Sequence, residues 1–281
     1  MFSASLFRFP GTSFEGIQDL DLSWLSVYCR HQMRITESLA IVGSMQFGLS
    51  GPLDCHVYAL RGPDGVILID AGAGTHTEQI LRNTSVDLPG HDIAALLVTH
   101  SHLDHSGGAA MIRQRTGCRV VTPEPSRYVL ERADEEACGL RAAREQGVYP
   151  SDFRLQACGV DEALHDGQVF VAGGVEFLAI HVRGHSQDAF CYLTHGNTGI
   201  SLFSGDVVFY GGVLGVINLE GSGMDGYRAD FHKLGGRNIQ GFFPGHGLFT
   251  ICGGQSHIDC AMKEIGKGFL PRQIGQGDLL F

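Results

Sequence analysis

The chain has 281 residues and a formal net charge of −10, with 20 Lys and Arg against 30 Asp and Glu. This acidic balance argues against a nucleic-acid partner, because phosphate binding requires a basic surface. No apolar run is long enough to span a membrane, and the first residues lack the basic segment and apolar core of a secretory signal. We therefore expect a cytoplasmic protein with a small-molecule substrate and no membrane partner.

The chain begins with a predicted extension, followed by three strands and a helix. Residues 1–34 form the N-terminal extension, which either packs on the body or contributes to a homodimer contact. Alternating apolar residues predict a pair of strands at 39–45 and 56–60 and a third strand at 66–70. Residues 76–83 are predicted to form a helix.

Side chains typical of metal ligands follow the predicted strand at residues 94–98. Within six positions the loop contains His100, His102, Asp104 and His105. Burying such side chains without partners would cost much free energy. The first two and the last two indicate separate positions about 3.5 to 4 Å apart, which is the usual spacing of paired metal ions. The loop therefore predicts a site for two ions.

Three later strands each supply one more residue of this kind. His185, Asp206 and His246 come directly after predicted strands, and a glycine precedes each of them. Ligands of α/β proteins often bind at the carboxyl ends of strands. We therefore expect these three side chains to join the histidine-rich loop at one edge of the fold.

The order of these seven residues resembles that of the metallo-β-lactamase fold superfamily, in which an HxHxDH loop precedes a His, an Asp and a His at strand ends. Residues 68–72 are similar to the family's strand-Asp-Gly element, so Asp70 is expected to support the ligands. The resemblance covers about residues 35–260. It implies the α/β class, as an αββα sandwich of the metallo-β-lactamase type. We expect one domain over residues 35–281, because no cut between the ligand positions leaves a complete site.

The resemblance also implies how two divalent ions are held. One ion would bind His100, His102 and His185, the other would bind Asp104, His105 and His246, and Asp206 would bridge them. Imidazole ligands suit zinc, which is the expected metal, while iron and manganese fit the same donors. Asp104 is in addition a candidate catalytic residue that could carry a proton to the leaving group, although its ligand role alone would explain its presence.

The activity implied by the resemblance is hydrolysis. A metal-bridging hydroxide would attack a carbonyl carbon, because metal-bound water can have a pKa of about 7, and would cleave an ester, lactone or thioester bond. Glyoxalase II, a thioesterase, and quorum-quenching lactonases have all seven ligands, but glyoxalase II has a C-terminal helical domain for which residues 247–281 are too few. The alternative is a persulfide dioxygenase with one iron held by His100, His185 and Asp206.

A helical insertion is predicted at about residues 123–164, where the strand pattern is interrupted. Its segment 125–145 is rich in Glu, Arg and Ala and is predicted to form one or two helices. Several aromatic and apolar side chains are candidate substrate contacts: Phe47, Leu49, Tyr149, Phe153, and either Tyr210 or Tyr227 as a donor near the metals.

Overall fold

The computed structural model describes residues 33–196, 199–267 and 272–273. The predicted N-terminal extension at 1–34 therefore lies outside the described residues, apart from its last two positions. No helix in the described ranges combines the length and the apolar character that crossing a bilayer requires.

Six strands form the first sheet, and they follow one another in chain order from one edge to the other. These strands are β1 (Leu39–Gly43), β2 (Val57–Gly62), β3 (Gly65–Ile69), β4 (Ile93–Leu97), β5 (Arg119–Pro123) and β6 (Glu162–Leu164). The pairs β1–β2 and β2–β3 are antiparallel, whereas β3 to β6 run parallel. The predicted strand pair and the strand that follows it are confirmed.

Five strands form the second sheet, in the order β13, β10, β9, β8, β7. They are β7 (Val169–Ala172), β8 (Val175–His181), β9 (Phe190–Gly196), β10 (Gly199–Gly205) and β13 (Ile239–Pro244). Between β10 and β13 the chain forms a short pair of strands, β11 (Val208–Phe209) and β12 (Val213–Leu214). Because β10 and β13 are parallel while the other neighbours are antiparallel, β8, β10 and β13 all end at the same edge of the sheet.

Seven α-helices lie in the described part of the chain. They are α1 (Thr77–Asp87), α2 (Leu103–Ser106), α3 (Ala109–Thr116), α4 (Glu124–Arg132), α5 (Leu140–Glu145), α6 (Met224–Asp230) and α7 (Gln255–Ile265). Single 3-10 turns occur at Tyr210–Gly212 and Phe231–Leu234. The helix predicted at residues 76–83 corresponds to α1, which continues to Asp87.

Alternation along the strands divides the core into three apolar layers. On β3, Ile67 and Ile69 lie in the core between the two sheets, whereas Val66 and Leu68 pack on the opposite face with Ile80 of α1. Strand β9 of the second sheet alternates in the same way between the inter-sheet core and the layer beneath α7. This order of helix, sheet, sheet and helix confirms the predicted αββα sandwich.

Two buried tyrosines connect the sheets near the edge where the strands end. The Tyr58 hydroxyl, on the first sheet, donates to the carbonyl of Pro244 on the second at 2.7 Å. The Tyr192 hydroxyl, on the second sheet, donates to the carbonyl of Val98 on the first, also at 2.7 Å. A buried hydroxyl without a partner is costly, so these reciprocal bonds fix the strand ends relative to each other.

The boundaries predicted for the insertion are wrong at both ends. Pro123 is the last residue of β5, and Glu162–Leu164 forms β6, which pairs with β5 in parallel. The helical part is limited to α4 and α5, so the segment predicted to form one or two helices contains two, the first of which begins at Glu124. The strand was missed because three residues are too few to show an alternating pattern, and only pairing with a neighbour defines them.

Candidate metal centre

Three histidines from two strand ends bring one nitrogen each to a common point. The distances are 3.1 Å from His100 Nε2 to His102 Nδ1, 2.9 Å from His102 Nδ1 to His185 Nε2, and 3.1 Å from His185 Nε2 to His100 Nε2. Nitrogen atoms spaced in this way leave room for an ion at about 2.0 to 2.1 Å from each of them. We call His100, His102 and His185 the histidine group.

Hydrogen bonds on the far sides of the rings determine which nitrogens carry protons. His185 Nδ1 donates to the carbonyl of Gly215 at 2.6 Å, so its Nε2 carries a lone pair. The Thr99 hydroxyl donates to Asp70 and therefore accepts from His100 Nδ1 at 3.0 Å, which leaves His100 Nε2 bare as well. Two lone pairs 3.1 Å apart repel each other unless a cation lies between them.

Burial keeps the imidazoles of His100 and His185 neutral. Desolvation lowers the pKa of His185 to about 4, and it lowers the pKa of His100 well below the usual value, with the neighbouring imidazoles adding to the effect. A neutral imidazole is the form that binds a metal ion. His100 and His185 are therefore in their ligand form at neutral pH.

A second set of donors, the carboxylate group, consists of Asp104, His105, Asp206 and His246. Asp104 Oδ2 lies 3.1 Å from His246 Nε2 and 3.4 Å from His105 Nε2. Asp206 Oδ1 lies 3.3 Å from His105 Nε2. Among the described residues, His105 Nε2 and Asp206 Oδ1 are buried side-chain atoms without a hydrogen-bond partner. An imidazole nitrogen and a carboxylate oxygen that face each other without hydrogen-bond partners fit a site for a cation.

The two groups meet at Asp206. Its Oδ2 lies 3.7 Å from His185 Nε2 in the histidine group and 3.6 Å from His246 Nε2 in the carboxylate group. This position between both sets of donors fits the bridging role that the resemblance implies. The structure thus brings all seven predicted residues together, and their role as ligands is taken up as a proposal below.

Asp70 forms hydrogen bonds that support one histidine in each group. Its Oδ2 accepts from His105 Nδ1 at 2.8 Å and from the Thr99 hydroxyl at 3.0 Å, and its Oδ1 accepts from the Thr99 backbone N–H at 2.7 Å. Through Thr99 the carboxylate also orients His100. The backbone of Asp70 is left-handed, with φ of 65°, a conformation that an Asp adopts only at some cost. These contacts allow Asp70 to orient His105 directly and His100 through Thr99, as expected of a residue that supports the ligands.

Glycine is required where the backbone approaches the donors. A Cβ on Gly245 would lie 2.3 Å from Asp206 Oδ1 and 2.6 Å from the His105 ring. A Cβ on Gly215 would lie 1.9 Å from the Asp206 carbonyl and 3.0 Å from His185 Nδ1. Both contacts are shorter than van der Waals packing permits, so these positions allow no side chain.

Two candidate substrate contacts, Phe47 and Leu49, lie in the loop between β1 and β2, and only Leu49 is buried. Leu49 is buried in the core between the sheets, so its predicted substrate contact is wrong. Phe47 stacks on the His56 ring with a centroid distance of 5.0 Å and contacts Phe249 edge-on. In the insertion, Tyr149 is buried in the helix-side core and packs on Phe153 at 5.4 Å.

The two tyrosines predicted as candidate donors differ in burial. The Tyr227 hydroxyl is buried; it donates to the Val207 carbonyl at 2.7 Å and accepts from the Gly215 N–H at 3.1 Å. Tyr210 lies at the surface, where its ring packs on His257 at 4.1 Å. Tyr227 therefore holds Gly215, whose carbonyl orients His185.

Sequence reasoning missed two buried polar residues beside the donors, His56 and Asp188. Each bonds to backbone that flanks candidate ligands. The sequence indicates no role for His56, because a single histidine has no motif around it. Asp188 follows His185 by three positions, and that carboxylate beside a candidate ligand was the signal available in the sequence.

The fold and the donors define a class of protein: αββα sandwiches with metal-ligand residues at the edge where the strands end. A profile of the metallo-beta-lactamase superfamily matches residues 50–246. The chain belongs to this superfamily, as the resemblance seen in the sequence predicted.

Three curated relatives illustrate the similarity. An atrochrysone carboxyl ACP thioesterase of Aspergillus fumigatus is 30% identical over 182 residues, covering 64% of this chain and 47% of that protein. Acyl-coenzyme A thioesterase MBLAC2 of Bos taurus is 29% identical, covering 57% of this chain and 60% of that protein. Hydroxyacylglutathione hydrolase GloC of Haemophilus influenzae is 27% identical, covering 52% and 62%. The matched part of the chain thus spans only about half to three fifths of each relative.

Solved structures support the same fold. A variant of the metallo-beta-lactamase with a HARLDQ motif from Cronobacter sakazakii superposes with a TM-score of 0.63, covering 83% of this chain and 94% of that chain. The sequences are 22% identical. Similarity at this level concerns the architecture and carries no statement about substrate.

Proposed function

We propose that this chain is a dinuclear metal-dependent hydrolase that cleaves an ester, lactone or thioester bond of a small molecule, with thioesters as the favoured substrates. The observation that carries the proposal is the pair of donor groups that share Asp206. Bare imidazole nitrogens in one group and an unpartnered, buried carboxylate oxygen in the other both favour a positive charge between them. Zinc is the expected metal because it favours imidazole and carboxylate ligands, and iron or manganese would fit the same donors.

The seven residues then have separate roles. His100, His102 and His185 would hold one ion, and Asp104, His105 and His246 the other, with Asp206 shared between them. When bound, two divalent ions supply a nucleophile from water at neutral pH and stabilise the negative charge that develops on a carbonyl oxygen.

Asp104 is the candidate for proton transfer to the leaving group. Its side chain is 32% exposed, whereas that of Asp206 is 7% exposed. A carboxylate that reaches the solvent side of the donors can exchange a proton with the leaving group. Asp206, enclosed between the two groups, is suited to binding alone.

The thioester preference rests on the relatives. The three proteins described above are named for acyl carrier protein, acyl-coenzyme A and hydroxyacylglutathione, and each of these names implies a thioester. The acyl and thiol parts differ among them, so the shared chemistry is the bond itself. We therefore propose the bond class without naming one thiol carrier.

The first experiment is to measure the metal content of protein purified without added metal, followed by hydrolysis assays. About two equivalents of divalent metal and turnover of acyl thioesters would support the proposal. Turnover should be followed by the ultraviolet absorbance of the thioester, because the exposed Cys252 and Cys260 would react with a thiol reagent. Asp206→Ala is the control for contaminating activity.

The alternative of a mononuclear iron persulfide dioxygenase gives opposite results. It requires about one equivalent of iron, no second ion after reconstitution, and oxygen uptake with a persulfide. That outcome, or two bound ions without hydrolysis of any thioester, ester or lactone tested, would overturn the proposed function.

A further inference from the structure

Asp188 connects two segments that carry the histidine group. Its Oδ2 accepts from the backbone N–H of Ser101, which lies between His100 and His102, at 2.9 Å. Its Oδ1 accepts from the hydroxyl of Ser186, the residue after His185, at 2.6 Å. The carboxylate therefore spans the gap between the loop after β4 and the loop after β8.

A third hydrogen bond connects Asp188 to the helical insertion. The hydroxyl of Ser126, in the first turn of α4, donates to Asp188 Oδ2 at 2.7 Å. Burial alone would raise the pKa of Asp188, but the bonds from Ser101, Ser186 and Ser126 outweigh it and lower the pKa. Asp188 is therefore a buried negative charge beside the histidine group.

His56 makes an equivalent connection on the other side of the centre. Its backbone N–H donates to the Gly245 carbonyl at 2.7 Å, and its Nε2 donates to the Gly247 carbonyl at 2.8 Å. These two carbonyls lie directly before and after His246. The Ser44 hydroxyl donates to His56 Nδ1 at 2.9 Å, so both ring nitrogens are occupied.

The His56 ring is thereby fixed in one orientation. Burial lowers its pKa to about 4, so the ring is neutral at pH 7 with its proton on Nε2. Phe47 stacks against it at 5.0 Å. With both nitrogens used, His56 is no ligand; it holds the segment that carries His246.

We propose that Asp188 and His56 are positioning residues, each for a different half of the metal centre. Asp188 holds the histidine group and contributes negative charge near its ion, and His56 holds His246 of the carboxylate group. Residues that orient metal ligands typically contribute about 10- to 100-fold in metal affinity. The inference rests on the proposed function, because it presupposes two metal ions.

Two substitutions at Asp188 separate the effect of its negative charge from the effect of its hydrogen bonds. Asp188→Ala removes both, whereas Asp188→Asn can keep an oxygen for Ser101 and offer an amide N–H to Ser186 while it removes the charge. We expect Asp188→Ala to weaken metal binding at the histidine group by about 10- to 100-fold and Asp188→Asn to restore part of that loss. Ser186→Ala, which deletes one of the three bonds, serves as a milder variant if Asp188→Ala does not fold.

The matching substitution on the other side is His56→Phe. It preserves the stacking on Phe47 but removes the side-chain donor to the Gly247 carbonyl. We expect weaker binding at the carboxylate group by about 10- to 100-fold, with the histidine group little changed. Ser44→Ala, which deletes the donor to His56 Nδ1, is the milder variant.

Asn83→Ala controls for the loss of a buried hydrogen-bonding residue. Asn83 Nδ2 donates to the carbonyls of Val42 at 2.8 Å and Leu49 at 2.9 Å, neither of which adjoins a candidate ligand. This substitution should lower thermal stability and leave both metal affinities unchanged. A merely structural role of Asp188 or His56 would give the same pattern as Asn83.

The measurement is a Co²⁺ titration in competition with a chelator, in the wild type and each variant. The visible absorption of Co²⁺ distinguishes a site with three imidazoles from one with carboxylates, so each binding step can be assigned to a group. The proposal predicts that Asp188→Ala and His56→Phe weaken different steps.

Two outcomes separate the proposals. If the wild type binds two Co²⁺ ions and the variants weaken both steps equally, or neither step, the positioning roles are overturned while the proposed function stands. If the wild type does not bind two ions, the proposed function fails and the positioning roles fail with it.

Discussion

The histidine group and the carboxylate group lie side by side but differ in charge. The histidine group contains three imidazoles, and burial lowers the pKa of His100 and His185. In the carboxylate group, burial would also lower the pKa of His105 and His246, but nearby carboxylates outweigh it and raise the pKa of both. The comparison shows that burial determines the protonation of His100 and His185, whereas neighbouring charges determine that of His105 and His246.

This difference has a consequence for metal binding. A cation entering the histidine group would meet neutral nitrogens on His100 and His185 and would displace few protons from them. A cation entering the carboxylate group replaces protons that the carboxylates favour on His105 and His246, and its own charge takes over their role. The fold therefore places a ready set of neutral donors beside a set that is complete only with positive charge.

The largest effect is expected at the residue that both groups share. Asp206→Ala removes a carboxylate that lies within 4 Å of His185 in the histidine group and within 4 Å of His105 and His246 in the carboxylate group. We expect turnover to fall at least about 1,000-fold, which corresponds to about 4 kcal/mol in the activation barrier. Metal content and circular dichroism should be measured together. Wild-type rates with unchanged metal occupancy would contradict the bridging role.

A loss confined to one group is expected from His100→Ala. The substitution removes one of three nitrogens in the histidine group and leaves the carboxylate group complete. We expect metal content to fall from about two equivalents to about one, with a large loss of turnover and the fold largely intact. His246→Ala is the corresponding substitution in the carboxylate group, and we expect it to remove the ion of that group. If either variant retains two ions, its residue is not a ligand.

A smaller effect is expected from Tyr227→Phe. The Tyr227 hydroxyl accepts from the Gly215 N–H, and the Gly215 carbonyl orients His185. The hydroxyl therefore acts on the histidine group only through Gly215. We expect a stability loss of about 1 to 2 kcal/mol and turnover within about 10-fold of the wild type, measured by thermal unfolding and steady-state kinetics. A loss of more than about 100-fold in turnover with unchanged stability would instead indicate that the hydroxyl acts on the substrate.

The smallest effect on the centre is expected from Asp230→Asn, which tests stability away from both groups. Asp230 pairs with Arg183 at 2.6 Å and Lys233 at 3.0 Å. Burial would raise the pKa of Asp230, but these partners outweigh it and lower it to about 2 from a usual 3.8. A lowered pKa in the folded state stabilises the fold above about pH 4, and this contribution is lost as pH falls towards 2.

We expect Asp230→Asn to reduce the free energy of unfolding by about 1 to 2 kcal/mol at pH 7, allowing for the exposure of Arg183. Denaturant unfolding at pH 7 and near pH 3 checks the sign, because the difference from the wild type should shrink at the lower pH. Metal content should stay unchanged at pH 7. A pH-independent difference would show that the ion pairs do not cause it.

The candidate ligands could be predicted because their pattern is local. Each is a polar side chain directly after an apolar strand, and parallel strands bring such positions to one edge. The positions of Leu49 and Asp188 could not be predicted in this way. Leu49 is buried by strands distant in the sequence, and Asp188 has its function through Ser101 and Ser126, which only the fold brings near.

Gly245 has a consequence for protein engineering. Because any side chain there would collide with Asp206 and His105, the backbone itself forms one wall of the centre, and substitution at this position cannot tune specificity. Leu248, two residues beyond His246, has an exposed side chain. Libraries aimed at a new substrate preference should therefore keep Gly245 constant, whereas the exposed Leu248 is free to vary.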